Sequence, residues 1–497
     1  MHAALRRGPA RGVTLWTASL CLASLGTLIA GGAGAELPPE NQCPTYSGNP
    51  GSGPKEDAAP VRLREGMLLD YSDILQLGSL LPIEVWRNRE AFFHEGMRLE
   101  VGPCHRRYPT PGFFGEATRK FAGQARIDAD GDLENAPAGL PFPPDGIDPE
   151  ADDAALRWAW NLERRYRGAG PAGKFRIVDM PSRVGGIQTY EGTWFFLQTA
   201  HRADLADSDY RVGKADGSSW IAGGRFTEPG SARHLAWRQL RPLSVDTQFS
   251  ESDDTFVYVP TMRKVRRAAS TWVDGLYTPR YRVSGDSGGG GLPVGGSDFG
   301  VGGSINPSSS ESAAATENLR RGFEGLALRP NAYHWRLREM REVLAPINVT
   351  RIGYPEERDR NFGPSGLSVG SDRWDVRYAV VIQGAVKEPG RDFDLLTVYV
   401  DYQTQQPLYV ITKRRRGARL VEVGILLHRF SGDLIQYPTW PGDGQPALVF
   451  DPVAAVFFDV ADGGSGWRRE SYDVVSTPPG DEDIEQLMST SYLTRGH

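Results

Sequence analysis

The sequence predicts a mainly β protein, built on a large antiparallel sheet. Three observations lead there. Gly and Pro number 59 and 36 of 497 residues, a loop-rich composition that stays short of the ~25–30% typical of disorder. Aromatics make up 10%, more than a disordered chain carries. After Gly168, apolar residues recur with period two in short runs separated by polar turns, which is strand patterning.

Residues 1–35 read as a secretory signal peptide. Arg6, Arg7 and Arg11 form its positive end, Val13–Ala30 its apolar stretch, and Ala33-Gly34-Ala35 a small-residue cleavage site near Ala35. A membrane anchor is the competing reading of the same stretch. Cys21 follows Leu20, so no lipoprotein signal is present. Export implies a periplasmic location and an oxidising compartment, where Cys43 and Cys104 favour a disulfide over two free thiols. Three cysteines in all exclude a disulfide-dense scaffold, an iron–sulfur protein and a Cys-rich zinc protein. The net charge of −6 leaves no basic excess for nucleic acid.

Residues 36–60 are a polar, Pro-rich tether, and 61–150 a helical and loop region. Leu68, Leu69, Ile74, Leu77, Leu81, Val85 and Trp86 predict one or two amphipathic helices broken at Pro82. Residues 102–150 read as loop. Asp152 opens a helix whose apolar face holds Leu156, Ala159, Trp160 and Leu162. Ten strands follow, at Phe175–Met180, Thr193–Thr199, Leu235–Leu240, Thr255–Pro260, His334–Val343, Trp374–Val386, Leu395–Val400, Leu408–Thr412, Leu420–Leu427 and Leu448–Val460. With no helices between them, they make an antiparallel sheet spanning 151–475. Thr397–Asp401 and Leu408–Thr412 form the clearest hairpin, and Leu420–Leu427 extends it to a meander. Residues 284–315 are a Gly/Ser-rich insertion, and 476–497 a C-terminal tail.

Few motifs suggest chemistry. Gly285-Asp286-Ser287-Gly288-Gly289 copies a serine-protease nucleophile loop, with His201 upstream and Asp246 or Asp253 available as the acid. The serine sits in a Gly/Ser tract too pliant for an oxyanion hole, so a serine hydrolase is a remote alternative and the chain reads as a non-enzyme. Asp128, Asp130, Asp132 and Glu134 alternate around Gly131, but the glycine falls at the wrong position for an EF-hand. The eight histidines show no metal-ligand spacing, so neither metal nor cofactor is expected. Strand aromatics suit an apolar binding face instead. On alternation, Trp194, Phe196, Phe256, Tyr258, Trp335, Leu337, Tyr378, Tyr399 and Tyr409 are the candidate cavity-lining residues. An ordinary core explains them equally well. Two basic runs, Arg263–Arg267 and Lys413–Arg416, fit either strand-edge protection or contact with an acidic partner or lipid headgroups.

Short motifs add a family resemblance. Ala138-Gly139-Leu140-Pro141-Phe142-Pro143, Trp160-Asn161 and Arg165-Tyr166-Arg167-Gly168 come first, then Pro260–Ala268, Tyr333–Leu337 with Ala345–Asn348, and Arg373–Val376 with Tyr399–Asp401. Together they resemble an exported proteobacterial family of unknown function, numbered thirteen-twenty-nine. That family is similar in fold to the LolA and LolB lipoprotein-sorting proteins, a half-open antiparallel barrel closed by helices over an apolar cavity. The resemblance implies a periplasmic carrier or accessory protein for a hydrophobic small molecule or lipid, linked to an inner-membrane efflux-type transporter and an outer-membrane β-barrel. It implies no catalytic residue. A monomer is expected. The alternative function is a non-carrying envelope assembly factor that binds protein partners.

Overall fold

The computed structural model describes residues 37–46, 61–180, 187–215, 217–230, 232–260, 263–267, 279–282, 315–318, 327–350, 362–388, 393–414, 419–441, 444–460 and 466–494. Residues 1–35, read as a signal peptide, Ser287 and all of the 284–315 insertion except Ala315 lie outside them. Fifteen strands share one sheet. In chain order they are β1 (Leu68–Leu69), β2 (Leu99–Cys104), β3 (Ala172–Met180), β4 (Gln188–Gln198), β5 (Ser218–Glu228), β6 (Ala236–Pro242), β7 (Asp254–Val259), β8 (Lys264–Arg267), β9 (Tyr333–Ala345), β10 (Arg373–Val386), β11 (Leu395–Asp401), β12 (Pro407–Lys413), β13 (Leu420–Phe430), β14 (Phe450–Asp459) and β15 (Gly466–Val475).

Two antiparallel meanders compose the sheet. One runs β3 to β8 and the other β9 to β15, and β15 pairs antiparallel with β3 to join them. The short β2 pairs parallel with the start of β10, and β1 pairs with β2. Since Val376 faces Leu344 of β9 on one side and Cys104 of β2 on the other, β2 extends the line of β11. Strands β8 and β9, together with the two-residue β1 beyond β2, are therefore the free edges among the described residues, and the sheet is not closed.

All ten expected strands are present, and so is the predicted hairpin of β11 and β12, continued into β13. Two long strands escape the sequence reading. In β5 the pair Gly223-Gly224 breaks the apolar alternation, yet the glycines are required there. A Cβ on Gly224 would lie 2.5 Å from the Trp237 ring, so the bare backbone is the seat of that indole. In β15, Arg468, Arg469 and Glu470 make a buried strand look exposed.

The helices are α1 (Tyr71–Ile74), α2 (Ile83–Arg87), α3 (Arg89–Phe92), α4 (Gly112–Phe121), α5 (Ala154–Glu163) and α6 (Asp481–Met488). The expected break at Pro82 is present, but residues 61–99 give three short helices rather than one or two long ones. Asp70 caps α1 with a capping box. Helix α4 lies within the stretch read as loop. Its glycines obscure the pattern, but Phe113, Phe114 and Phe121 pack on Tyr166, Trp440 and Tyr210 and hold it in place. Cys43 and Cys104 are joined in a disulfide that ties the N-terminal segment to β2.

Register assigns the faces. Ala455 of β14 lies opposite Glu470 of β15, which faces Ile177 of β3, which faces Tyr190 of β4. The cluster around Val398, Val410 and Phe457 and the aromatic cluster around Trp194, Phe196 and Trp237 therefore share one side, the inner face. Helix α5 packs there against β9 and β10, with eight of its ten residues buried. The outer face buries Tyr399, Tyr409, Ile411 and Ile425 under the N-terminal helices, and Phe195 and Ile221 against α6.

The sheet's two ends meet through ionic contacts. Residues 327–332 lead into β9, at one edge, and dock on β6 and the β6–β7 loop, near the other. Buried Asp253 accepts from Arg329 at 2.5 Å, from Gln239 at 2.7 Å and from Arg241 at 3.2 Å through both Nε and Nη2. Arg241 also donates to the Ala327 and Leu328 carbonyls, and Arg329 to those of Phe249 and Glu251. Burial opposes the Asp253 charge, but the two guanidiniums outweigh it and hold its pKa below the usual range. Asp253→Asn would leave two arginines under-compensated in the interior. It is expected to cost about 3–5 kcal/mol, read from the urea midpoint at constant m-value. A change below about 1 kcal/mol would show that the sheet does not depend on this joint.

Candidate functional site

The inner face has two halves of different character. Over β9 to β14, α5 fills the space. Its Asn161 makes a reciprocal pair with Phe142, accepting from the amide at 3.1 Å and donating to the carbonyl at 2.5 Å. Trp160 donates to the Gly131 carbonyl at 3.1 Å. The 131–142 loop is thus fastened to the helix, and the motif blocks Ala138–Pro143 and Trp160-Asn161 meet. Gly139 is needed there because its φ is +75° and a Cβ would sit 2.5 Å from the Thr118 amide.

Over β3 to β7 the inner face is aromatic. Phe175, Tyr190, Trp194, Phe196, Trp220, Phe226 and Trp237 are all buried there, joined by Tyr472 of β15, and no helical residue contributes to the cluster. The rings touch one another at centroid distances of 5.7 Å for Phe175–Phe226, 5.2 Å for Phe226–Trp237 and 5.4 Å for Phe196–Trp220. Arg241 stacks over Trp220 at 4.5 Å, and the indole Nε1 of Trp220 is buried without a hydrogen-bond partner. Between the two halves runs a buried polar strip on β15. Arg468 donates to Glu470 at 2.6 Å, and the Tyr472 hydroxyl donates to the same carboxylate. Burial raises the Glu470 pKa against the pull of Arg468.

The nine sequence-predicted lining residues divide between the faces. Trp194 and Phe196 stand in the aromatic half, and Trp335, Leu337 and Tyr378 lie with the α5 half. Phe256 and Tyr258 pack outward with Leu493, and Tyr399 and Tyr409 face the N-terminal helices. Sequence reasoning missed Trp220 and Phe226 with their strand. It placed Trp237 in a strand without singling the residue out, although a Trp beside a Gly-Gly strand is a readable signal. Two surface cavities are formed by the described residues. One, about 490 Å³, borders the disulfide and Arg62; the other, about 370 Å³, lies beside Lys174 and Glu191. The second also touches Phe175, at the margin of the aromatic cluster.

The chemistry motifs resolve locally. His201 Nε2 is 3.6 Å from Asp246, but its Nδ1 is 3.1 Å from the Ala136 and Pro137 carbonyls. With the Nδ1 proton directed at those carbonyls, the remaining lone pair on Nε2 faces Asp246, which is already bound by Arg164, rather than a hydroxyl. Asp128 accepts from the amides of Asp130 and Asp132, so the acidic string is a self-satisfied turn. Among the described residues no group of three or more His, Cys, Asp or Glu could hold a metal ion, and no helix is long and apolar enough to cross a membrane.

A polar cluster stands at the start of β10. Asp375 is fully buried and accepts from the Tyr108 hydroxyl at 2.6 Å, while its Oδ1 has no hydrogen-bond partner. Arg377 is paired with Asp401 at 2.7 Å instead. Burial pushes the Asp375 pKa up to about 6, against the lowering pull of the Tyr108 hydrogen bond and of Arg377, Arg373 and Arg106.

Residues 88–282 match the model of the family described as Protein of unknown function (DUF1329), which is the family the motifs resemble. No curated protein matches the sequence. Solved structures similar to it include the following three. A putative outer membrane lipoprotein-sorting protein domain from Vibrio parahaemolyticus is 10% identical, over 69% of this chain and 100% of its own, with a TM-score of 0.36. A DUF1329 family protein from Desulfovibrio piger is 11% identical, over 69% and 98%, with a TM-score of 0.36. A LolA superfamily protein from Nitrosomonas europaea is 12% identical, over 69% and 98%, with a TM-score of 0.30.

Asp375 makes stability depend on pH. Its folded pKa lies above the unfolded 3.8, so its contribution is most favourable below pH 4 and is lost as pH rises through 6. Relative to Asp375→Asn, the wild type should lose up to about 3 kcal/mol between pH 4 and pH 7. Parallel urea titrations at the two pH values measure this, and a constant difference would show that the carboxylate stays charged throughout.

Proposed function

We propose that the chain is an exported carrier or accessory protein for a hydrophobic, lipid-like cargo, working in the periplasm beside an envelope transport system. One observation carries this reading: the aromatic half of the inner face, on a sheet left open at both edges, to which no helix contributes. Rings packed largely against one another, with no helix over them among the described residues, can part to admit an apolar chain, and each Å² of apolar surface they cover contributes about 25 cal/mol. The signal-like N-terminus supports the location. The envelope assembly factor remains the second reading. It rests on Leu68, Leu75 and Ile83, large apolar side chains left exposed on the segment that covers the outer face.

Native mass spectrometry of the mature protein, isolated without detergent, should show an adduct of lipid-like mass. A clean protein mass from folded material favours the assembly factor. Binding of a fluorescent fatty acid should weaken about tenfold in Trp194→Leu combined with Phe226→Leu, and stay unchanged in Tyr399→Phe on the outer face. Equal loss in both would place binding off the inner face.

A further inference from the structure

Strand β8 is a free edge unlike β9. All four of its residues are exposed, so it stands clear of the core as the outer rung of the β7–β8 ribbon. Edge strand β9, by contrast, is bulged between Leu337 and Glu339, carries both charge signs, and is tied to the N-terminal region by Arg341 bonding the Ser79 carbonyl. Cations dominate β8: Lys264, Arg266 and Arg267, with Arg263 at the turn before it, in a chain whose net charge is −6. One carboxylate, Asp254, meets Arg267.

We propose that β8 is a docking edge for an extended acidic segment of a partner protein, which adds to the sheet as a further strand. Three features select that occupant. Edge position leaves a row of backbone donors and acceptors unpaired among the described residues, and only another backbone satisfies these in register. Alternation sends Lys264 and Arg266 to one face of the ribbon and Arg267 to the other. A flat anionic membrane would reach one set, whereas a strand lying in the plane of the sheet presents alternate side chains to both. A second copy of β8 is excluded, since pairing would set cation against cation. The charges that forbid self-association thus choose an acidic partner. This goes beyond the carrier reading and does not depend on it.

The test uses the full mature protein and a fluorescein-labelled nine-residue peptide alternating Glu with Thr. Fluorescence anisotropy at low salt should show saturable binding, weakened at least tenfold by Lys264→Glu with Arg266→Glu. Circular dichroism and the thermal midpoint of the variant should match the wild type, because these side chains are solvent-exposed. The same peptide N-methylated at alternate residues keeps its charge but loses strand pairing on one edge, and it should bind at least tenfold more weakly. Equal binding of the two peptides would overturn strand addition and leave a diffuse charge effect. Absence of peptide binding, alongside charge-dependent binding to phosphatidylglycerol vesicles, would assign the edge to a membrane and overturn the proposal. Should the charge variant misfold, the N-methylated peptide alone decides, because it leaves the protein unchanged.

Discussion

One buried carboxylate sets the shape of the molecule. The meanders β3–β8 and β9–β15 are joined by strand pairing only where β15 meets β3. At their far ends the sheet would be free to flatten. Asp253 prevents this by holding Arg241, on the first meander, and Arg329, just before the second. Ions suit this joint better than another ladder. A carboxylate with two guanidiniums binds at a point, so it can close a curled sheet whose edges are not parallel neighbours, and the surrounding carbonyls absorb the remaining donors. Burial makes the joint all-or-none, because removing either sign leaves an uncompensated charge.

With the curl fixed, the two faces acquire different tasks. The outer face is covered by chain from both ends: the N-terminal helices over β10 to β13, and α6 with residues 490–494 over β4 to β7. Arg238 and Arg225 fasten that C-terminal cover by donating to the carbonyls of Met488, Tyr492 and Leu493. The inner face receives α5 on one half only. The charged pair Arg468–Glu470 sits at the boundary, buried but satisfied, and costs less there than it would in the middle of either apolar half.

Much of this was legible in the sequence, and the limits have physical causes. Period-two runs located ten strands because each has at least one apolar face. They failed for β5 and β15, where the core demands a gap for the Trp237 ring and a buried ion pair respectively. Face assignment failed more instructively. Trp194 and Phe196 lie inside, whereas Tyr399 and Tyr409 lie outside, although all four sit on regular strands. A strand buried on both sides gives no hydropathic difference to orient it, and only register across neighbours does. The joint itself had no local signature. Asp253 was noticed only as a possible catalytic acid, and Arg241 and Arg329 are separated from it by 12 and 76 residues.

The asymmetry of the inner face is what supports the proposed carrier reading. A sheet stabilised purely by its own core would gain most from covering both halves alike, since unshared aromatic surface is costly to leave to chance packing. Here one half is sealed by a tryptophan-bearing helix pinned through Asn161, while the other is lined by eight aromatic rings drawn from strands alone. Rings in tilted and edge-to-face contact would lose little on re-packing against an apolar guest, because the guest would return the contacts they give up. On the proposed carrier reading, the ionic joint would keep the enclosing curve in place during that exchange. A rigid frame around a re-packable aromatic lining is the arrangement that binding an elongated apolar molecule requires.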